Sequence, residues 1–269
     1  MRGEFHIHTT YSDGVLTVPE ILEYVKGKEE YLSITDHDII DGSIEAFELS
    51  KKYNIKCIIG VEVSSFYQGD TVHILGYFKN DDHLEVLKNK LKETREQRIK
   101  RLYLMKEKLK DIFNIDLDIT EILKVSTITR GTIAREIVRQ HSEYSIEYLF
   151  KEVIGSDCPA YIPSTKFFTK EAIDLIHQAG GVAVLAHPTL LRSCKPIDIV
   201  KMGVDGIEAI YPRNKENEEL EYRKLALENN LFITAGSDFH SFNDSGHANL
   251  LTHFLYDDEL EIFIKKVME

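Results

Sequence analysis

The chain has 269 residues, 43% hydrophobic and 29% charged, a balance that excludes a disordered polypeptide, a collagen-like repeat and a disulfide-stapled miniprotein. Its 33 Lys and Arg stand against 45 Asp and Glu, a formal charge of -12 that excludes nucleic-acid binding through bulk positive charge but leaves room for a small anionic substrate. No apolar run reaches the roughly 20 residues of a bilayer span. The stretch from Met1 to His6 has no signal-peptide apolar core. Cys57, Cys158 and Cys194 are few, odd in number and far apart, so a reducing, cytoplasmic setting without disulfides is expected.

Short β-like runs alternate with helical stretches. Phe5–His8 reads as a first strand. Val18–Lys26 reads as a helix with Val18, Ile21, Leu22 and Val25 on one face and Pro19 near its start. Tyr31–Thr35 is a second strand, Gly42–Tyr53 a helix, and Lys56–Val63 and Val72–Phe78 two further strands. The pattern then changes. Asp81 to about Phe113 is a long helical stretch striped by Leu84, Leu87, Leu91, Ile99, Leu102, Met105 and Leu109, and more helix falls near Thr120–Lys124, Thr132–His141 and Ile146–Ile154. Alternation resumes with the helix Lys170–Ala179, stopped by Gly180-Gly181, and the strand Val182–Ala186. Helices Ile197–Met202, Glu216–Asn229 and Asp258–Val267 then interleave with strands Gly206–Ile210 and Leu231–Ala235.

Seven strands alternating with helices imply parallel pairing and an α/β fold close to a closed barrel. Residues 1–79 and 165–269 are expected to build the barrel, and 80–164 an all-helical insertion or cap domain. Between Lys88 and Lys110 there are ten Lys or Arg, but Glu93, Glu96 and Glu107 are interleaved and Tyr103 is almost the only aromatic. That pattern is a solvated amphipathic helix rather than a surface for bases, and no stable duplex binding is expected.

The chemistry lies where the β-runs end. His6 and His8 are two apart on one run and point the same way; Asp238 and His240 repeat that spacing. Asp13 follows the first run, His37 closes the second within Thr35-Asp36-His37-Asp38, Glu62 stands inside an apolar strand, and His187 follows Val182–Ala186. His73 is the exception, falling at the start of its run. In an α/β barrel the C-terminal strand ends converge on one mouth. Six histidines and three carboxylates aimed at one mouth make a multinuclear metal site suited to Zn, Mn or Fe. Metals held close together suit displacement at phosphorus, with hydroxide generated at neutral pH. Amide hydrolysis is the mechanistic rival, and the absence of a lysine at these strand ends lowers it.

HIHTTYSDG (6–14), ITDHD (34–38), GVEVS (60–64), HILGY (73–77), AHP (186–188) and GSDFH (236–240) are the motifs of a known family. The chain resembles the PHP (polymerase and histidinol phosphatase) metal-dependent phosphoesterases, with the pieces in family order. The resemblance implies a distorted (β/α)7 barrel with two to three divalent ions. It implies one ion on His6, His8, Glu62 and Asp238, a second on Asp13, His37 and His240, and a third on Glu62, His73 and His187, with Glu62 bridging. Asp13, His37, Glu62, Asp238 and His240 are the expected catalytic residues, and Asp36 is expected to orient a ligand by hydrogen bond.

The Thr35–Asp38 motif and the helical insertion are similar to the branch acting on nucleoside 3',5'-bisphosphates and the 5' ends of short oligonucleotides. That branch has an Arg-Pro-His-Ile-Ala-like phosphate motif in the insertion; here the chain reads Arg130-Gly131-Thr132-Ile133-Ala134. Arg130 is a candidate bidentate phosphate ligand, Arg135 a weaker one, and Arg213 in Tyr211-Pro212-Arg213-Asn214 a second candidate at the mouth. The implied activity is attack of a metal-bound hydroxide on a phosphate monoester; histidinol phosphate or another small monoester is the alternative substrate. A degenerate accessory module is disfavoured because all nine ligand positions are filled. His83, His141, His177, His247 and His253 have no strand-end partner and are expected to be structural or exposed.

Overall fold

A computed structural model of the chain describes residues 1–28, 31–125, 128–163, 167–242 and 247–269. The elements in order are β1 (Arg2–Glu4), α1 (Val18–Val25), β2 (Tyr31–Ile34), α2 (Asp41–Tyr53), β3 (Lys56–Tyr67), β4 (Asp70–Phe78), α3 (Glu85–Phe113), α4 (Arg130–Gln140), α5 (Ile146–Tyr148), β5 (Phe167–Phe168), α6 (Thr169–Gln178), β6 (Val182–Leu185), α7 (Pro196–Val200), β7 (Gly206–Ile210), α8 (Glu218–Glu228), β8 (Phe232–Ala235), β9 (Leu255–Tyr256) and α9 (Asp257–Met268). They fall into two compact units, Met1–Asn89 with Lys166–Glu269, and Lys90–Thr165. The expected boundary at 164/165 lies outside the described residues.

The first unit is a nearly closed barrel. Its sheet runs β8-β7-β6-β4-β3-β2-β1, with β9 on the far side of β1 and β5 paired to β3. The ring closes through backbone hydrogen bonds beyond the ends of β1 and β8. Phe5 N–H donates to Ala235 O (3.0 Å), Asp238 N–H to His6 O (2.9 Å) and His8 N–H to Phe239 O (2.9 Å). The first strand is therefore Arg2–Glu4, not Phe5–His8. Gly3 and Glu4 pair with Tyr31 and Leu32 of β2, after which Phe5, His6 and His8 bond to the end of β8 and the segment beyond it, while Ile7 O accepts from Thr35 N–H (2.9 Å).

Parallel pairing holds for β1-β2-β3 and β6-β7-β8 but not for β4, which is antiparallel to both β3 and β6. The cause is local. Tyr67 and Asp70 pair directly across a two-residue turn in which Gln68 and Gly69 have φ of 46° and 95°. So short a loop forms a hairpin and leaves no length for a crossover helix.

The helices around the barrel start where the sequence supplies caps. Thr17 N–H donates to Glu20 Oε2 (2.8 Å), closing a capping box on α1. The Val18, Ile21, Leu22 and Val25 face of α1 packs with Leu32 and Ile34 of β2 and with Ile7, each side chain contributing about 1.5–3 kcal/mol by burial. Phe5, Leu75, Tyr77, Val184, Ala235 and Phe263 form a second cluster, in which Tyr77 O–H donates to Phe5 O (2.8 Å).

In the second unit α3 packs with α4 and the π-helical turn Leu149–Val153 around Leu102, Met105, Leu109, Ile133, Ile137, Leu149 and Val153. No strand occurs among its described residues. Thr129 caps α4 by accepting from Thr132 N–H (3.1 Å). The guanidinium of Arg130 lies over the rings of Phe150 and Tyr161, 5.8 and 5.3 Å from their centroids.

Candidate metal centre

Six of the seven barrel strands deliver a strand-end side chain to one cluster. β1 leads into His6 and His8, β2 into His37, β6 into His187 and β8 into Asp238 and His240; Glu62 lies in the outer half of β3. The reversal of β4 accounts for His73. Its N-terminal end lies beside the C-terminal end of β3, so His73 pairs with Ser64, two residues beyond Glu62.

Glu62 is the hub and has no solvent exposure. Its Oε1 lies 2.8 Å from His73 Nδ1 and 2.9 Å from His187 Nε2. Its Oε2 lies 2.7 Å from His37 Nδ1, 3.3 Å from His8 Nε2 and 3.4 Å from His6 Nε2. Asp238 Oδ1 closes the opposite side, 3.2 Å from His6 Nε2 and 3.0 Å from His8 Nε2. Asp13 is half exposed, with its carboxylate 3.2 Å from His240 Nε2 and 4.0 Å from His37 Nε2.

A second layer of polar groups holds the first. Asp36 accepts from Thr9 N–H, Thr9 Oγ1 and Ser12 Oγ, and Ser12 Oγ is 3.4 Å from His8 Nδ1. Asp38 accepts from Ser64 N–H and Oγ while its own N–H donates to Glu62 O. Glu208 of β7 faces His6 Nδ1 and the His187 N–H. Glu4 accepts from Ser237 Oγ and Leu251 N–H, and Tyr211 O–H donates to Asp238 Oδ2 (3.1 Å). His187 (φ 27°) and Asp238 (φ 54°) sit in left-handed backbone conformations that non-glycine residues seldom adopt, the strain expected at functional sites. Gly236 is required by close approach, since a Cβ there would land on His6 Cβ and 2.7 Å from its backbone N.

The electrostatics follow from burial and pairing. Burial works against charge on Glu62, but His37, His73 and His6 hold it well below the usual carboxylate range. Asp238 is lowered in the same way by His6 and His8. Burial would lower His37, but Glu62 and Asp13 raise it to about 10. At His73 burial prevails and the imidazole is pushed down.

The donors fit divalent cations. Among the described residues, the buried His6 Nε2, His8 Nε2, His37 Nδ1, His73 Nδ1 and Glu62 Oε2 crowd within ion-pair distance of carboxylate or imidazole yet make no well-aligned hydrogen bond. Buried polar atoms without such bonds are costly, and these five converge. Four groups each present ligand atoms within 4.8 Å of one another: His6, His8, Glu62 and Asp238; His8, Asp13, His37 and His240; His37, Glu62 and His73; and Asp238, His240 and His247. Imidazole with carboxylate suits Zn, Mn and Fe.

All nine candidate ligands therefore come together. Of the other candidates, Arg213 is exposed and its carbonyl accepts from Thr189 Oγ1, while Arg130 and the exposed Arg135 belong to the second unit. His177 pairs with Asp205 (2.7 Å) and His141 with Glu143 (3.6 Å); His83 is exposed and His253 lies against Thr252. His247, expected to be structural or exposed, instead stacks on His240 at 4.0 Å with its Nε2 3.7 Å from Asp238 Oδ2. Sequence reasoning also missed Glu208, Glu4 and Tyr211. For Glu208 a signal existed, a lone carboxylate in an apolar strand, the same signal that marked Glu62.

Barrel and centre together define a class, the phosphoesterases that work through divalent ions. The chain belongs to the PHP domain family, whose model matches residues 4–155. It is 30% identical over 249 residues to a 5'-3' exoribonuclease of Haemophilus influenzae, covering 89% of this chain and 90% of that protein. A 3',5'-nucleoside bisphosphate phosphatase of Chromobacterium violaceum is 28% identical over 254 residues, covering 90% and 88%. In fold the chain is similar to a protein of Bifidobacterium adolescentis described as a metal-dependent phosphoesterase, with TM-score 0.76, 26% identity and coverage of 99% and 96%. The chain is a metal-dependent phosphoesterase, a hydrolase.

Proposed function

We propose that the chain removes phosphate from nucleoside 3',5'-bisphosphates or acts at the 5' end of short oligonucleotides, with two to three Mn, Zn or Fe ions at the centre. The relatives named for these two activities support the substrate class. The observation that carries the metal assignment is the set of crowded buried donors gathered on Glu62. The overlap of the ligand groups around Glu62, His8 and Asp238 supports more than one ion.

His6, His8, Glu62 and Asp238 would hold one ion, Asp13, His37 and His240 a second, and Glu62, His73 and His187 a third. Bound there, such ions lower the pKa of water and neutralise charge on the attacking and leaving oxygens. The residues do the rest. Ser12, through Asp36, fixes the ring of His8, and Tyr211 O–H holds one oxygen of Asp238 so that the other faces the imidazoles. Asp13 stands at the solvent edge, where substrate arrives. Arg130 and Arg213 are the proposed phosphate contacts. For Arg130 the support is its company: burial, then Arg130 and Arg98, lower the pKa of buried Arg101, a concentration of guanidinium charge that favours an anion. Residues 80–164 are proposed as an insertion domain. Free Cys57, Cys158 and Cys194 support a reducing, cytoplasmic setting.

The test is phosphate release from adenosine 3',5'-bisphosphate by purified protein with manganese, beside a chelator-treated control. Chelator-sensitive release is expected, followed by cleavage of 5'-phosphorylated oligonucleotides. No release from folded, metal-loaded protein overturns the nucleotide reading and moves histidinol phosphate and other small monoesters to the front, in keeping with Gly131-Thr132 in the phosphate motif.

A further inference from the structure

Every barrel strand but one leads to a proposed ligand; the exception is β7. What β7 contributes is Glu208, which is fully buried. Its Oε1 lies 2.9 Å from His6 Nδ1, and its Oε2 accepts from the backbone N–H of His187 at 2.8 Å. The two partners are 202 and 21 residues away in sequence. We infer that Glu208 is a positioning residue that presets two ligands of the centre at once, the ring of His6 and the strained turn at His187.

For His6 the reasoning is tautomeric. A carboxylate only accepts, so the Nδ1 facing Glu208 carries a proton and Nε2 is left to face Glu62 and Asp238. A carboxylate on the far ring nitrogen also makes the imidazole a stronger donor to a cation. For His187 it is conformational. At φ 27° and ψ 63° the residue needs an external anchor, and the bond from its N–H to Glu208 holds the turn that aims Nε2 at Glu62 Oε1, 2.9 Å away. Using opposite oxygens for the two bonds fixes the carboxylate plane.

The inference rests on the reading of the cluster as a divalent cation centre, and the experiment separates the two. Chelator-stripped wild type, Glu208→Gln and Glu208→Asp are titrated with manganese by calorimetry, and the unfolding temperature of each metal-free protein is recorded. Gln offers one acceptor where two donors must be met. Glu208→Gln is expected to bind manganese roughly 10- to 100-fold more weakly while the metal-free protein unfolds within a few degrees of wild type. Glu208→Asp keeps the charge and is expected to fall between. Manganese binding at wild-type affinity in Glu208→Gln overturns the positioning role. So does loss of the metal-free fold in both variants, which would make Glu208 a core residue. Wild type that takes up no manganese overturns the reading of the centre as well.

Discussion

Glu62 meets four of its five histidines within 3.3 Å and the fifth at 3.4 Å, yet its neighbours come from four other strands. Removing one such group leaves the rest of the cluster misassembled. His8→Ala and Asp238→Ala are expected to lose about 100-fold or more of phosphoesterase activity with an unchanged circular dichroism spectrum; near-wild-type turnover in either would sink the metal assignment. Away from the cluster, Asp70 also ties stability to pH. Burial would raise Asp70, but the backbone N–H groups of Cys194, Ser193 and Arg192 hold it down to about 2. A carboxyl lowered on folding stabilises fully above its unfolded pKa of about 4 and loses that contribution as pH falls through its folded value. In chelator-treated protein, the stability gap between wild type and Asp70→Asn is expected to be constant from pH 7 to 5 and to shrink below pH 4; a gap insensitive to pH over that range contradicts this role. The strand-end histidines and acids were legible in the sequence because each broke an apolar run at its edge. Glu4 and Tyr211 were not, since nothing local distinguishes a buried partner of Ser237 or Asp238 from an ordinary polar residue. His247 lies outside any run, and only the folded chain stacks it on His240.

At the scale of elements, periodicity predicted the helices well because their apolar faces, such as that of α1, are buried against the sheet. Strand direction was harder. Alternation of strand and helix implied parallel neighbours, and the missing helix between β3 and β4 was the sign of the reversed strand. Strand onset was also misplaced for β1, because the ladder to β2 ends at Glu4 and Ile7 bridges Phe239 instead. The packing of the two closing segments makes a sharp prediction. Gly236→Ala forces a Cβ against His6, and overpacking of this kind costs about 1–3 kcal/mol. Urea unfolding is expected to show that loss together with weaker manganese uptake; an alanine variant as stable as wild type would mean the contact yields without cost.

For the whole molecule, the crowded donors predict that the native state is the form that binds ions. Manganese at about 100 times its dissociation constant would stabilise each occupied site by about 2.7 kcal/mol. The unfolding temperature of the full chain is expected to climb with added manganese and to fall back with chelator, and an unfolding temperature indifferent to manganese would count against the centre. One feature reaches further. The barrel closes where the segment after β1 meets the segment after β8, and these two segments carry His6, His8, Asp238 and His240. Glu4 and Ser237, hydrogen-bonded beside that closure, are 233 residues apart in sequence. Bringing such distant segments together costs loop-closure entropy. A nascent chain thus carries most of its histidines before Asp238 and His240 are made, so the cluster is complete only once the far end of the sequence is present. Under the proposed assignment, the four groups that complete the centre come from opposite ends of one polypeptide, and neither end can supply it alone.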